Sequence, residues 1–208
     1  MPFDHAVTAD RLREIYRDPH PMVLKKVVDR VDGEAAAFIR ASPFVVLASH
    51  GPDGADASPR GGPPGFVTIL DEHRLAIGDL MGNNRIDTIT NIATNGELGI
   101  VFMVPGVNDT LRVNGRATLT TDPDVLSRCA IDGTVPKAAI GLDVEACYLH
   151  CGKAFQRSQL WKPETWPSDV PSTACLIIEH LELEGVDPDE LQQDMVYPED
   201  VIWETGGK

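Results

Sequence analysis

The chain is 208 residues long, 42% apolar and 24% charged, which is enough to bury one substantial core and excludes a disordered tail. Eighteen basic residues against 32 acidic ones give a net charge of −14, a field that repels polyanions and argues against nucleic acid as a partner. No apolar run approaches the roughly 18 residues of a membrane-spanning helix, and the amino terminus carries acids and a His where a signal peptide is basic. A single domain over residues 1–208, cytoplasmic and without a membrane partner, is the expectation. Cys129, Cys147, Cys151 and Cys175 then read as reduced thiols and not as a disulfide framework.

The first 42 residues predict a helical extension. Thr8 can cap a segment to Tyr16, a second follows Pro21, and Asp32 precedes a third over Glu34 to Ala41. From Pro43 the pattern changes to short apolar runs rich in Val, Ile and Phe, punctuated by turn residues, as in an antiparallel meander. Phe44 to Ser49 and Ala55 to Pro59 flank Gly51-Pro52-Asp53-Gly54, a hairpin. Phe66 to Leu70 and Arg74 to Gly78 flank Asp71-Glu72-His73, a second hairpin. Between them, Ser58 to Gly65 holds too much Gly and Pro for a strand and reads as a loop, either a linker or a close backbone approach to a flat ligand.

One helix interrupts the strands. Ile86, Ile89, Ile92 and Ala93 recur at helical spacing after Gly82-Asn83-Asn84-Arg85, and Asn95-Gly96 supplies a left-handed stop. Leu98 to Val104 is a nearly unbroken apolar run, predicted as a central strand buried on both faces. In the next strand Leu111, Val113, Gly115, Ala117 and Leu119 share one face, and Arg112, Asn114, Arg116, Thr118 and Thr120 the other. Asp122-Pro123 starts a short helix, and Ala146 to Cys151 is expected as a closing strand. About six strands with one inserted helix suggest a small closed barrel, since closure removes exposed edges. Residues 163–208 form a second extension. Its prolines at 167 and 171 predict loops, Ser172 to Leu181 fits helix or strand equally, and Asp187 to Glu204 reads as an acidic surface.

In an acidic chain the cations at marked places are informative: Arg60 after a hairpin, Arg85 opening a helix, Arg112 on a strand, Lys153 and Arg157 near a strand end. Met81-Gly82-Asn83-Asn84-Arg85 is the sharpest cluster. Free N–H groups and the positive dipole end of a helix would meet a guanidinium there, a setting for phosphate. The same residues also fit an Asn-capped helix with a solvated Arg.

Taken in order, Ser58-Pro59-Arg60, Leu75-Ala76-Ile77-Gly78-Asp79, Gly82-Asn83-Asn84-Arg85-Ile86-Asp87, Arg112-Val113-Asn114-Gly115-Arg116-Ala117 and His150-Cys151-Gly152-Lys153-Ala154 resemble the pyridoxamine 5′-phosphate oxidase-like flavoproteins. The likeness is to their branch of FMN-dependent enzymes of unassigned substrate and spans roughly residues 30 to 165. It implies a mainly β fold with flanking helices, an FMN-binding split barrel, working as a homodimer with flavin at the interface. It also implies that Arg85, Asn83 and Asn84 hold the flavin phosphate, while Ser58, Arg60 and the strand ending at Asp79 run along the ring and ribityl chain. Arg112, Asn114, Lys153 and Arg157 would reach the same flavin, the one across the dimer, or the substrate. The Arg-Leu-His-Asp-Arg-like carboxy-terminal motif with which true pyridoxamine phosphate oxidases grip the vitamin phosphate is absent from this sequence, so vitamin B6 oxidation is not expected.

The implied activity is hydride transfer between flavin N5 and a small molecule or a nicotinamide such as NADH or NADPH. Two readings stand beside it: a flavin-binding sensor or carrier, and a haem- or tetrapyrrole-handling protein on the same barrel. Cys147, His150 and Cys151 also raise a zinc site, but residues four apart on a strand lie about 13 Å apart, too far for one tetrahedral metal. His150 would line the flavin pocket or be structural. Trp161 and Trp166 would cover the flavin or pack between subunits. No Gly-x-Ser-x-Gly nucleophile elbow is present.

Overall fold

The computed structural model describes residues 5–80 and 84–195. Its centre is an antiparallel sheet of seven strands: β1 (Phe44–Gly51), β2 (Gly54–Gly61), β3 (Val67–Asp71), β4 (Arg74–Asp79), β5 (Glu97–Met103), β6 (Thr110–Thr120) and β7 (Ala138–His150). They lie in the order β2-β1-β5-β6-β7-β4-β3. Seven strands replace the expected six or so, and the sheet is not closed: among the described residues no ladder joins β2 to β3. The expected closing strand from Ala146 is the second half of β7. That strand is 13 residues long, pairing with β6 along its length and with β4 through Ala138 to Asp143. Opposite Asn114 and Gly115 the register shifts from Ala146 to Val144, leaving Glu145 as a bulge that bends the long β6-β7 ribbon around the core.

The expectation of a loop from Ser58 onward is corrected, because β2 continues to Gly61. Its position explains the exception: β2 is an edge strand, and a Pro without a donor is tolerated where one side needs no ladder bond. Pro59, together with Asp56 and Arg60, also blunts that edge. β5 is central as expected, but only one of its faces is sealed. Leu98, Ile100 and Phe102 are buried while Gly99, Val101 and Met103 are half-buried.

The core lies on the concave face, where Val45, Leu47, Leu75, Ile100, Phe102, Val113 and Ile140 meet. Helix α3 (Gly33–Ala41) closes over it with Ala35, Ala36 and Ile39. Asp32 caps α3 as predicted, its Oδ1 accepting from the Ala35 N–H at 2.9 Å. A smaller cluster of Ala76, Cys129 and Ala139 lies beneath α5 (Pro123–Arg128), which Asp122 caps through the Asp124 N–H.

The amino-terminal segment is shorter in helix than expected. A 3₁₀ turn (Ala9–Arg11) runs into α1 (Leu12–Ile15) with no side-chain cap from Thr8, and α2 (Pro21–Lys25) follows. The carboxy-terminal segment is richer in helix than expected. After α6 (Lys153–Ser158) and a 3₁₀ turn (Pro163–Thr165) come α7 (Thr173–His180) and α8 (Pro188–Asp194). Ser172 to Leu181 is thus helical, with Ser172 Oγ accepting from the Cys175 N–H. Helices α7 and α8 pack on each other, Ala174 fully buried and its N–H donated to Gln192 Oε1. Among the described residues no helix is long and apolar enough to cross a membrane.

Candidate functional site

Period-two geometry turns Asp56, Ser58 and Arg60 of β2 to one face. They stand opposite Ser49, Leu47 and Val45 of β1, so this is the concave, core-bearing side. Ser58 and Arg60 are half-buried there and make no side-chain hydrogen bond or ion pair among the described residues. A half-buried guanidinium with no carboxylate in hydrogen-bond contact is a group prepared for an anion or a polar ring edge.

Asp79 ends β4, also half-buried. Burial pushes its carboxyl above the usual carboxylate range, and the charge of Arg60 pulls it back down. In a flat sheet, β2 and β4 would lie about 24 Å apart, five spacings of roughly 4.8 Å. The register row through Arg60 reaches β7 at Leu149, whereas Asp79 meets β7 at Ala138, near its other end. Their charges interact all the same, so the open sheet coils with the large stagger of barrel strands. Leu75 and Ile77 are core residues on the face that Asp79 shares, whereas Ala76 and Gly78 face Cys129 on the α5 side, so of that strand Asp79 alone carries a polar side chain on the concave face.

Beyond Asp79 the sequence-predicted phosphate cluster is only partly described. Asn83 lies outside the described residues. Asn84 is exposed with φ of 58°, a left-handed turn residue. Arg85 is exposed and donates from Nε to Asp87 Oδ2 at 2.9 Å. The helix α4 (Asp87–Asn95) starts two residues later than expected, with Ile86 at the N-cap and no side-chain cap. Arg85 therefore precedes the helix instead of opening it. The buried stripe of α4 also differs from the apolar periodicity: Thr88, Asn91 and Ile92 are buried, while Ile86 and Ala93 are exposed. Gly96 does end the helix in a left-handed conformation.

The physical reason for that stripe is a polar network which sequence reading missed. Thr88 Oγ1 donates to Asp56 Oδ2 at 2.5 Å, Ser49 Oγ to the same oxygen at 3.4 Å, and Asn91 Nδ2 to Ser49 Oγ at 3.0 Å. Thr88, Asn91 and Ser49 are all buried. The signal was the alternation Asp56-x-Ser58-x-Arg60, which has meaning only once the segment is recognised as strand.

Arg112 and Asn114 point away from the concave face. Arg112 stands opposite Val101 and Tyr148, with its Cζ 5.4 Å from the Tyr148 ring centroid. Its Nε is buried with no hydrogen-bond partner among the described residues. Asn114 lines a cleft of about 580 Å³ together with Ala48, His50, Gly99 and Glu145. Lys153 and Arg157 are exposed on α6, past the end of β7. The structure thus places Ser58 and Arg60 side by side on the concave face of β2, with Asp79 within range of the Arg60 charge, and leaves Arg112 and Asn114 on the convex face and Lys153 and Arg157 on a flanking helix.

His150 is exposed opposite Thr110, and Cys151 is exposed, while Cys147 is buried beside the Val28 bridge. Among the described residues no group of three His, Cys, Asp or Glu side chains is placed to share a metal. Trp161 stacks on Phe155 at 5.7 Å and donates its Nε1 to the Val107 carbonyl, and Trp166 is 57% exposed.

A family model described as pyridoxamine 5′-phosphate oxidase matches residues 31–151. No curated protein sequence matches the chain. Among solved structures, the chain is similar to HupZ from Group A Streptococcus, at 19% identity and a TM-score of 0.47, covering 57% of this chain and 93% of that one. It is also similar to an FMN-binding protein from Syntrophomonas wolfei, at 9% identity and a TM-score of 0.42, over 58% of this chain and 88% of that one. A NimC/NimA family protein from Clostridium acetobutylicum is similar at 16% identity and a TM-score of 0.40, over 56% and 91%.

Proposed function

This chain belongs to the pyridoxamine 5′-phosphate oxidase family, and on that premise we propose that it is an FMN-dependent oxidoreductase acting on a small molecule, with NADH or NADPH as a candidate electron donor. The observation that carries the reading is the pair of donors on the concave face of β2: Arg60, half-buried and without an ion pair among the described residues, and Ser58, two residues before it. Asp79 lies within range of the Arg60 charge, and the Asn84–Arg85 segment follows it in the chain. These side chains fit FMN. Arg85 with Asn84 suits the phosphate, Ser58 and Asp79 suit ribityl hydroxyls and ring edges, and Arg60 suits the polar side of the flavin ring.

When bound, FMN supplies hydride transfer at its ring N5. The protein's part is to orient and to set the field. Arg60 holds a fixed positive charge in a half-buried site, where an electrostatic contact is stronger than in water, against the negative charge a ring gathers on reduction. Asp79 lies within reach of that charge, so it sets how much of it is felt.

A homodimer is part of the proposal. Val46, Val101 and Met103 leave the convex face only half-buried, Arg112 Nε has no partner there among the described residues, and Ile15, Tyr16, Met22 and Leu24 are each more than half exposed. A second copy seated on that face would cover apolar area and place Arg112 and Asn114 near a flavin held by the other chain. Lys153 and Arg157 are assigned with them.

The test is the spectrum of the purified chain, followed by anaerobic titration with NADH and NADPH. Flavin absorption bands, a dimer in solution and bleaching by a nicotinamide are expected. Colourless monomeric protein indifferent to added FMN, or a Soret band in place of flavin bands, overturns the reading. Bound flavin that no donor reduces would turn it into a carrier or sensor.

A further inference from the structure

We infer that Asp56 and Thr88 are positioning residues for the flavin phosphate, locking the start of α4 to the strand that presents Ser58 and Arg60. The inference rests on the flavin reading above and goes beyond it, since neither residue touches the cofactor in that reading.

Three facts carry it. Asp56 stands two residues before Ser58 on the same face of β2, and Thr88 stands three residues after Arg85 in the first turn of α4. One hydrogen bond of 2.5 Å, from Thr88 Oγ1 to Asp56 Oδ2, joins the two elements. Ser49 and Asn91 extend the join, and the Asn95 Nδ2 donor on the His50 carbonyl fixes the other end of the helix. Gly51 adds a close approach, because a Cβ at that position would collide with the Asn91 side chain. Helix α4 is therefore docked by directional polar contacts more than by its apolar residues, of which Ile92 alone is fully buried.

Directional contacts fix rotation and register as well as distance, which apolar packing does loosely. The segment bearing Arg85 enters α4 with no N-cap side chain of its own, and the Thr88–Asp56 bond ties the first turn that follows it to β2. Holding two parts of a ligand site at fixed separation contributes affinity without a contact to the ligand. The affected part is the phosphate end, because Arg85 lies on the α4 side of the join, whereas Ser58 and Arg60 belong to a strand held by its own ladder.

The full-length chain, stripped of flavin, is titrated separately with FMN and with riboflavin, which lacks the phosphate, for wild type, Thr88→Val, Thr88→Ser and Asp56→Asn. Thr88→Val is expected to raise the Kd for FMN about tenfold while moving that for riboflavin less than about twofold. Thr88→Ser keeps the donor and is expected to bind FMN as wild type does. Asp56→Asn keeps an acceptor oxygen and is the milder variant that carries the test should Thr88→Val not fold, with a smaller loss confined to FMN. Folded Thr88→Val that binds FMN like wild type, or that loses FMN and riboflavin in equal proportion, overturns the inference. Wild-type protein that binds neither flavin overturns the flavin reading itself and the inference with it.

Discussion

The charge of Arg60 on β2 acts on the Asp79 carboxyl at the end of β4, although four strands lie between them in the order of the open sheet. Burial raises the Asp79 carboxyl and Arg60 only partly offsets it. The folded state therefore binds a proton more tightly than the unfolded chain, and stability falls as pH rises from the unfolded carboxylate value, about 3.9, through the higher folded one. Asp79→Asn should raise the melting temperature of flavin-free protein at pH 7.5 and lose that advantage at pH 3, where Asp79 is neutral in wild type. Equal effects at both pH values would show that the change acts through packing and not through charge.

The exposed Arg85–Asp87 pair sets the second expectation. Both side chains are more than half exposed, so the pair is weak and Arg85 can exchange Asp87 for a phosphate. Arg85→Ala should raise the Kd for FMN by about one to two orders of magnitude. Asp87→Asn removes a competing anion and should lower it, by roughly twofold to fivefold. Fluorescence titration with FMN reads both, and unchanged or tighter binding by Arg85→Ala would remove the phosphate role.

Thiol reactivity should divide by burial. Desolvation, with the charge of Asp32 adding to it, pushes the Cys147 thiol up to about 11, and burial likewise raises Cys129. The thiolate is the reactive form, so at pH 8 both are slow, while Cys151 and Cys175 are exposed. A disulfide reagent added to native protein should label Cys151 and Cys175 quickly, and all four cysteines only after denaturation. Peptide mapping identifies them.

Gly115 has no room for a side chain. A Cβ there would run into the Asp143 carbonyl beside the Glu145 bulge. Gly115→Ala should destabilise the protein by roughly 1–3 kcal/mol or shift the β6-β7 register, read as a lower midpoint in urea. Gly133→Ala is a useful contrast. Its Cβ meets nothing within 4 Å but its φ is 81°, so any loss there comes from backbone strain alone.

How much was legible in advance varies by element. The hairpin at Pro52-Asp53, the strand Arg74 onward, the alternation from Leu111 to Ala117 and the Asp32 and Asp122 caps follow from local rules, and the structure agrees on each. Pro59 misled because a prolyl residue argues against a strand only when both sides need ladder bonds, and which strand is an edge is not a local property. Thr88 and Asn91 carry no local signal, because a polar helix residue is indistinguishable from a solvated one until a buried acceptor such as Asp56 stands opposite.

Local rules fix the alternation of faces, the caps and turns and the motifs that identify the family, since each depends on residues near one another along the chain; of the acidic stretch from Asp187 to Glu204, residues 196–204 lie outside the described residues. That the sheet stays open, that the Arg60 charge acts on Asp79 while Arg112 points the other way, and that α4 is docked through Asp56 are properties of the assembled fold. Those outcomes depend on how far a seven-stranded sheet coils and on which strands are left at its edges. That is a sum of twist, stagger and one bulge over the whole sheet, and no single segment contains it.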